Sequence, residues 1–234
     1  MTEESGVAAV DRALSLLACF REDDYSLTLT ELAKRTGLYK STALRLIESL
    51  LKAGYLYRLG DGSYQVGVTP FRLGALYQRQ FRTVEYVPTV LRDIVKELGE
   101  SASYYIYEQG QRLCLHRVEA NNQIIRDAVR EGDLRPLSGG ATGMILMAFR
   151  GEEGSDMELV RAQYWAASFG GTHPEMAAVA VPVFGVQQAL AGALSVSGPR
   201  YRFEEKGAES MVPALTRAAV RLTQLLGGDA SVFK

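Results

Sequence analysis

Residues 28–53 read TLTELAKRTGLYKSTALRLIESLLKA, and the rest of the chain is organised around this stretch. Thr28 and Glu31 stand at capping-box spacing, at which a hydroxyl and a carboxylate satisfy orphan backbone donors reciprocally. Leu29, Leu32 and Ala33 give the first helix an apolar stripe, and Gly37 stops it where a left-handed residue is wanted. After Leu38 and Tyr39 a second periodic run begins, with Leu44, Ile47 and Leu51, flanked by Ala43 and Leu50, turned toward a core. Its other face carries Lys40, Ser41, Thr42, Arg45, Ser49 and Lys52. Two helices joined by a short glycine-containing turn make a helix-turn-helix, whose second member meets base edges in the major groove. Arg45 suits bidentate contact with guanine, Ser41 and Thr42 can donate or accept, and Lys40 can neutralise phosphate. The plainer alternative is a helical hairpin with a solvated polar face.

The following residues favour the DNA reading. Tyr55 to Arg58 alternates as a short strand, Gly60-Asp61-Gly62-Ser63 is turn chemistry, and Tyr64-Gln65-Val66 returns as its partner. A two-stranded ribbon directly after a recognition helix is a wing. From Lys34 to Arg58, six basic residues (Lys34, Arg35, Lys40, Arg45, Lys52, Arg58) stand against Glu48 alone, a local balance of plus five in a chain of net charge −1. Such a patch is the electrostatic footprint of a duplex-binding surface.

The 234 residues allow one or two domains, and a 47% hydrophobic composition supports genuine cores. The longest clean apolar run, Ala177 to Phe184, contains a proline and is too short to span a bilayer. The start, MTEESGVAAVDRA, is acidic and lacks the basic and apolar regions of a secretory signal. Cys19 and Cys114 read as small buried hydrophobes rather than a disulfide, so a cytoplasmic location is expected. The near-neutral charge makes DNA contact local, and a weak single site is best strengthened by dimerisation.

In chain order, Val10, Ala13, Leu14, Leu17 and Phe20 repeat at helical spacing and predict a supporting helix over Val10–Phe20. A linker helix is expected from Thr69, as cap, and Pro70, at the first helical position. Phe71, Leu76, Tyr77 and Phe81 give it an apolar stripe, with Arg72, Arg79 and Arg82 elsewhere; a dimer contact and a linker packed on its own chain both fit. Thr83 to Glu85 breaks the pattern, and a helix over Pro88–Leu98, closed at Gly99, opens a new domain. The period then falls to two. Strands are expected at Ser103–Glu108, Leu113–Val118, Gln123–Val129, Met176–Phe184 and Leu190–Ser197. Gly139, Gly140 and Gly143 lead into a buried helix over Met144–Phe149, a short helix covers Met157–Tyr164, and Phe203–Leu226 closes the chain as one helix. Consecutive strands on tight turns pair antiparallel, which makes the fold α+β. The boundaries are a winged helix-turn-helix over 1–68, a linker helix over 69–83 and a sheet domain over 84–234.

Taken together, VDRALSLLACF (10–20), the helix-turn-helix through Arg58, the wing GDGSYQVG (60–67), LRPLSGGATG (134–143), AVAVPVFG (178–185) and ALSVSGPRYRF (193–203) resemble the IclR family of bacterial one-component transcriptional regulators. The resemblance implies a GAF/PAS-like antiparallel-sheet effector domain after the winged helix-turn-helix. It implies a homodimer or homotetramer on pseudo-palindromic operator DNA, and a small-molecule effector, often a carboxylate or aromatic catabolite, that controls catabolic genes. Carried over by position, the implied effector-binding residues are Ala141, Thr142, Ser168, Ala178, Ser195 and Ser197; the DNA-binding residues are Lys40, Ser41, Thr42, Arg45 and Arg58. Two serines two apart on a strand share a face, and a glycine-rich loop opening a helix offers backbone donors, so an anion fits both. Alternatively Ser195 and Ser197 satisfy neighbouring backbone. The chain departs from the family pattern at Ser168, commonly acidic, at Ser138, usually histidine, and at Tyr39, usually proline.

An enzyme is the rival reading, and the residues oppose it. His116 and His173 lie in separate segments, and no H-x-x-H, C-x-x-C or G-x-S-x-G pattern occurs, so neither a metal site nor catalytic residues are expected. The S-G-G-A-T-G loop lacks the Walker lysine, and no cofactor is expected. A DNA-binding regulator with a vestigial, ligand-free sensor is the remaining alternative.

Overall fold

The computed structural model describes residues 6–21, 23–80, 83–120 and 129–233, which fall into two compact units, Met1–Phe81 and Arg82–Lys234. The first unit is built from helices α1 (Ala8–Ala18), α2 (Leu29–Thr36), α3 (Lys40–Lys52) and α4 (Val68–Gln80), with strands β1 (Leu56–Arg58) and β2 (Tyr64–Val66) between α3 and α4. The Thr28–Glu31 capping box forms: the Thr28 hydroxyl accepts from the Glu31 amide at 3.3 Å, and the Glu31 carboxylate accepts from the Thr28 amide at 2.8 Å. Gly37 ends α2 at φ 71°, the left-handed conformation that glycine reaches without penalty. Leu27 and Tyr64 exchange backbone hydrogen bonds at 2.9 and 2.8 Å, stitching the wing to the helical core.

Two apolar stripes are rotated from expectation. The buried seam of α3 is Ala43, Ile47 and Leu50, whereas Leu44 is 39% exposed. At 100° per residue Leu44 lies a quarter-turn off that seam, so i, i+3 spacing alone misassigns it. In α1 the fully buried residue is Leu16, with Ala13 and Leu17 beside it, while Val10 and Leu14 are exposed. Helix α4 starts one residue before Thr69, and the Thr69 hydroxyl, instead of capping, donates to the Ala53 carbonyl at 2.8 Å and so ties α4 to the end of α3. Phe81, Arg82 and the side chain of Arg79 lie outside the described residues.

The second unit centres on an antiparallel sheet. Its elements are α5 (Thr83–Leu98), β3 (Ser101–Glu108), β4 (Gln111–Val118), β5 (Leu134–Pro136), α6 (Ala141–Ala148), α7 (Ser155–Gln163), β6 (Ala166–Phe169), β7 (Met176–Phe184), β8 (Leu190–Pro199), α8 (Arg200–Lys206) and α9 (Val212–Leu225). Among the described residues the strand order is β5-β4-β3-β8-β7-β6, every neighbour antiparallel. Period-2 alternation divides the strands between two cores. Tyr104, Val181 and Leu194 pack under α5 and α9 with Leu91 and Leu215, while Tyr105, Ala180 and Ala193 face α6 with Ile145 and Leu146. The α6 side includes Ala141, Ala148, Ala166, Ala180 and Ala193, whereas the α5/α9 side is rich in valine and leucine.

Three expectations are corrected here. Helix α5 runs through Thr83–Glu85 and includes Pro88 in its interior. A proline there costs about 3 kcal/mol in helical hydrogen bonding and sterics, which burial of Val87, Val90, Leu91 and Ile94 offsets. The closing helix is broken into α8 and α9 at Gly207, where φ is +75°. Strand β5 was not anticipated; it pairs with β4 because Leu134–Pro136 returns alongside Gln111–Leu113. The strand expected over Gln123–Val129 lies, apart from the buried Val129, outside the described residues.

Tyr104 is fully buried, and among the described residues its hydroxyl has no hydrogen-bond partner. Leaving such a group unsatisfied costs about 1–3 kcal/mol. Tyr104→Phe is therefore expected to raise the denaturation midpoint in urea without changing the m-value. A lower midpoint would show that the hydroxyl is bonded.

Candidate nucleic-acid interface and effector cavity

The helix-turn-helix places Ser41, Arg45 and Lys52 on the side of α3 opposite the Ala43–Ile47–Leu50 seam. Lys40, Ser41 and Arg45 are exposed and Thr42 is half-buried. Arg58 is exposed on the wing, its guanidinium 6.0 Å from the centre of the Tyr64 ring. The wing turn is held by Asp61, whose carboxylate accepts from the Ser63 amide at 2.9 Å and the Ser63 hydroxyl at 2.7 Å; these bonds, the hydroxyl's first, keep its pKa low.

Arg35 leaves the basic patch. Its guanidinium forms a fork with the Asp24 carboxylate, Nη2 donating at 2.9 Å, and Nη1 also donates to the Cys19 carbonyl at 3.1 Å. That guanidinium holds the Asp24 pKa down at about 2. Among the described residues Lys34, Lys40, Arg45, Lys52 and Arg58 make no ion pair. Sequence reasoning missed Arg12 on α1, which lines, with Ser41, Thr42, Arg45 and Ser49, a groove of about 400 Å³ between α1 and α3. The signal was present: Arg12 flanks the buried stripe of α1 on the side away from Val10 and Leu14.

In the second unit, Ala141, Thr142, Ala178, Ser195 and Ser197 line one cavity on the α6 face of the sheet. Register explains the convergence: Ser197 is opposite Ala178 on β7 and Ser101 on β3, and Ser195 is opposite Ser103. Ser101 and Ser103 are engaged, accepting from the Ala120 amide at 3.1 Å and from Arg117 Nη1 at 2.8 Å. Among the described residues Ser195 makes one long contact, its hydroxyl donating to the Ser103 carbonyl at 3.5 Å. Ser168 acts differently from the others, its hydroxyl accepting from the Ala141 amide at 3.0 Å and so capping the first turn of α6.

Arg112, which the sequence reading passed over, enters this cavity from β4; it is 4% exposed, and its Nη1 donates to the Thr142 hydroxyl at 2.7 Å. Gly140 makes that approach possible, for a Cβ there would lie 2.7 Å from Nη1, and its φ of +93° disfavours any side chain. The alternation of Arg112 with Cys114 on one face of β4 was the available clue. The cavity holds about 30 Å³, room for a water molecule.

Among the described residues no three His, Cys, Asp or Glu side chains gather as a metal site, and burial pushes the Cys114 thiol up to about 12, keeping it protonated. His116 is buried in β4, where desolvation lowers its pKa against an opposing pull from Glu131, 3.7 Å from its Nδ1. Among the described residues no helix is long and apolar enough to cross a membrane.

A winged helix-turn-helix with an exposed basic face on α3, followed by an antiparallel-sheet domain, is the architecture of a DNA-binding transcriptional regulator. The comparisons with known proteins agree. The IclR helix-turn-helix domain matches residues 9–60, and the bacterial transcriptional regulator IclR C-terminal domain matches residues 154–224. The HTH-type transcriptional regulator BhcR of Paracoccus denitrificans is 28% identical over 94% of this chain and 88% of its own. The crystal structure of a putative IclR transcriptional regulator from a Silicibacter species superposes with a TM-score of 0.81 at 25% identity, covering 97% of this chain and 99% of that one. An IclR homolog from Microbacterium hydrocarbonoxydans, complexed with 4-hydroxybenzoate, shares the fold at a TM-score of 0.78 and 21% identity, over 94% of this chain and 98% of that one. The chain belongs to the IclR family of transcriptional regulators, with an N-terminal DNA-binding helix-turn-helix and a C-terminal effector domain.

Proposed function

We propose that the protein binds a pseudo-palindromic operator as a homodimer or homotetramer and controls catabolic genes in response to a small metabolite, a carboxylate or an aromatic catabolite. Residues 1–68 would bind DNA, 69–83 would link, and 84–234 would bind the effector. The observation that carries the DNA half is the α3 face: Ser41 and Arg45 project opposite the buried seam, with Lys40, Thr42 and Arg58 completing the contact set. A second copy of the chain is supported by the exposed apolar side chains Val10 and Leu14 on α1 and Phe71 and Leu76 on α4.

For the effector half, Ala141, Thr142, Ala178, Ser195 and Ser197 surround the cavity while Ser168 braces the Ala141 amide. The ligand bound by the Microbacterium homologue, a hydroxybenzoate, makes that chemistry a reasonable first probe. Ligand would favour one arrangement of paired effector domains, and the linker helix would carry the difference to the spacing of the recognition helices, which operator half-sites require to be near multiples of about 34 Å.

Selection of bound duplexes from a random-sequence pool by the full chain tests the DNA half. An inverted repeat should be enriched, with affinity falling steeply as salt rises. Recovery of no preferred sequence, or salt-independent binding, removes the proposal. The small cavity, about 30 Å³, favours a second reading in which the sensor is ligand-free. Melting curves against a metabolite panel separate the two, because a binding ligand stabilises by mass action and a vestigial domain responds to nothing.

A further inference from the structure

Among the described residues no large apolar or aromatic side chain is more exposed than Tyr39, at 85%. It stands at the N-cap of α3, directly ahead of Lys40 and Ser41, the two exposed residues that begin the helix. Local stability does not account for a tyrosine there. The favoured N-cap residues are serine, threonine, aspartate and asparagine, whose short side chains accept from first-turn amides, and Tyr39 makes no such bond. Its backbone, at φ −63° and ψ 142°, is ordinary extended chain that makes no demand for an aromatic residue. Leu38 packs against the core of the unit and anchors the turn, whereas the Tyr39 ring buries almost nothing. Departures from local rules concentrate at functional positions.

We infer that Tyr39 is a DNA-contacting residue whose hydroxyl donates to a phosphate oxygen at the rim of the groove that α3 enters, fixing the depth and register of the helix. This rests on reading α3 as the recognition helix and adds the residue that seats it against the strand. In helix-turn-helix docking the N-terminal residues of the second helix meet base edges. The residue just outside that end therefore lies where the groove meets the sugar-phosphate backbone. A tyrosine carries its hydroxyl farther out than serine or threonine and has only two rotatable side-chain torsions, so contact costs it little conformational entropy. Tyrosine hydroxyls are among the groups that bond phosphate oxygens, and such contacts position a protein on the duplex without reading its sequence. A phenol, unlike the Lys40 ammonium, neutralises no phosphate and so releases no counterion.

The test is Tyr39→Phe in the full chain, read by fluorescence anisotropy on the operator recovered by selection. Affinity should fall roughly tenfold for each half-site, alike for the operator and its single-base variants, with the salt slope, melting temperature and oligomeric state unchanged. Operator phosphates are then replaced one at a time by uncharged methylphosphonate. At one position in each half-site the replacement should weaken wild type distinctly more than Tyr39→Phe, the non-additivity of a broken pair. Tyr39→Phe protein that binds as tightly as wild type, or methylphosphonate losses that add to the substitution at every position, overturns the inference. A loss confined to one base pair also overturns it, by making Tyr39 a base reader. So does an altered oligomeric state, which places the ring at a subunit contact. In these cases a weakened Arg45→Ala protein still upholds the recognition helix, whereas wild type that selects no operator overturns both readings together.

Discussion

Arg45→Ala is expected to cost about 1–3 kcal/mol of operator binding per half-site and to relax sequence preference at one base position in each. In a dimer the two half-sites are far enough apart to contribute nearly additively, so the combined loss is roughly twofold that figure in free energy. Arg45 sits on the outer face of α3, away from Ala43, Ile47 and Leu50, so its truncation removes no core contact. Among the described residues it makes no ion pair, so the melting temperature should hold. Fluorescence anisotropy with the selected operator and with each single-base variant reads both effects. Lys40→Ala offers the contrast: a phosphate contact should weaken all sequences alike and lower the salt slope by about one. An Arg45→Ala protein that binds its operator with unaltered affinity and preference refutes the recognition-helix assignment.

Ser195→Ala combined with Ser197→Ala is expected to abolish the metabolite-induced rise in melting temperature and the metabolite-induced change in operator affinity, while ligand-free DNA binding persists. The two hydroxyls share one face of β8 opposite Ser103 and Ser101, whose own hydroxyls are committed to Arg117 and the Ala120 amide. Ser195 therefore contributes little to the apo sheet and much to a ligand that replaces its long contact. A buried hydroxyl lost from a ligand site removes about 0.5–1.5 kcal/mol per hydrogen bond, or 1.5–3 if the acceptor is charged. Loss of DNA binding along with the response, or retention of both, contradicts the assignment. Operator binding without effector separates a failed sensor from a failed fold.

Much of this architecture was readable in the residues because its determinants are local. The capping box needs two side chains three residues apart, Gly37 needs only its own φ, and the wing needs Gly60 to Ser63 between two alternating runs. Where reading by period failed, a distant partner decided. Leu44 obeys helical spacing with Ile47 yet faces out, because the orientation of α3 is set by α1 and α2 packing on Ala43 and Ile47. Thr83–Glu85 looked like a break, but burial of Val87, Val90 and Leu91 against the sheet carries α5 through it and past Pro88. The glycine at 207 was an available stop signal inside a segment whose apolar period continues on both sides.

The sequence by itself determined the kind of protein this is: a helix-turn-helix with a wing, then an antiparallel sheet domain, since caps, turns and periodicities are written in neighbouring residues. Only the tertiary structure decided which charges work together. Arg35 is withdrawn from the basic face by Asp24, eleven positions away. Arg112 meets Arg135 and Thr142 only once strands β4 and β5 and helix α6 have come together. Electrostatic function depends on distances of a few ångströms between residues far apart in the chain, and folding alone sets those distances.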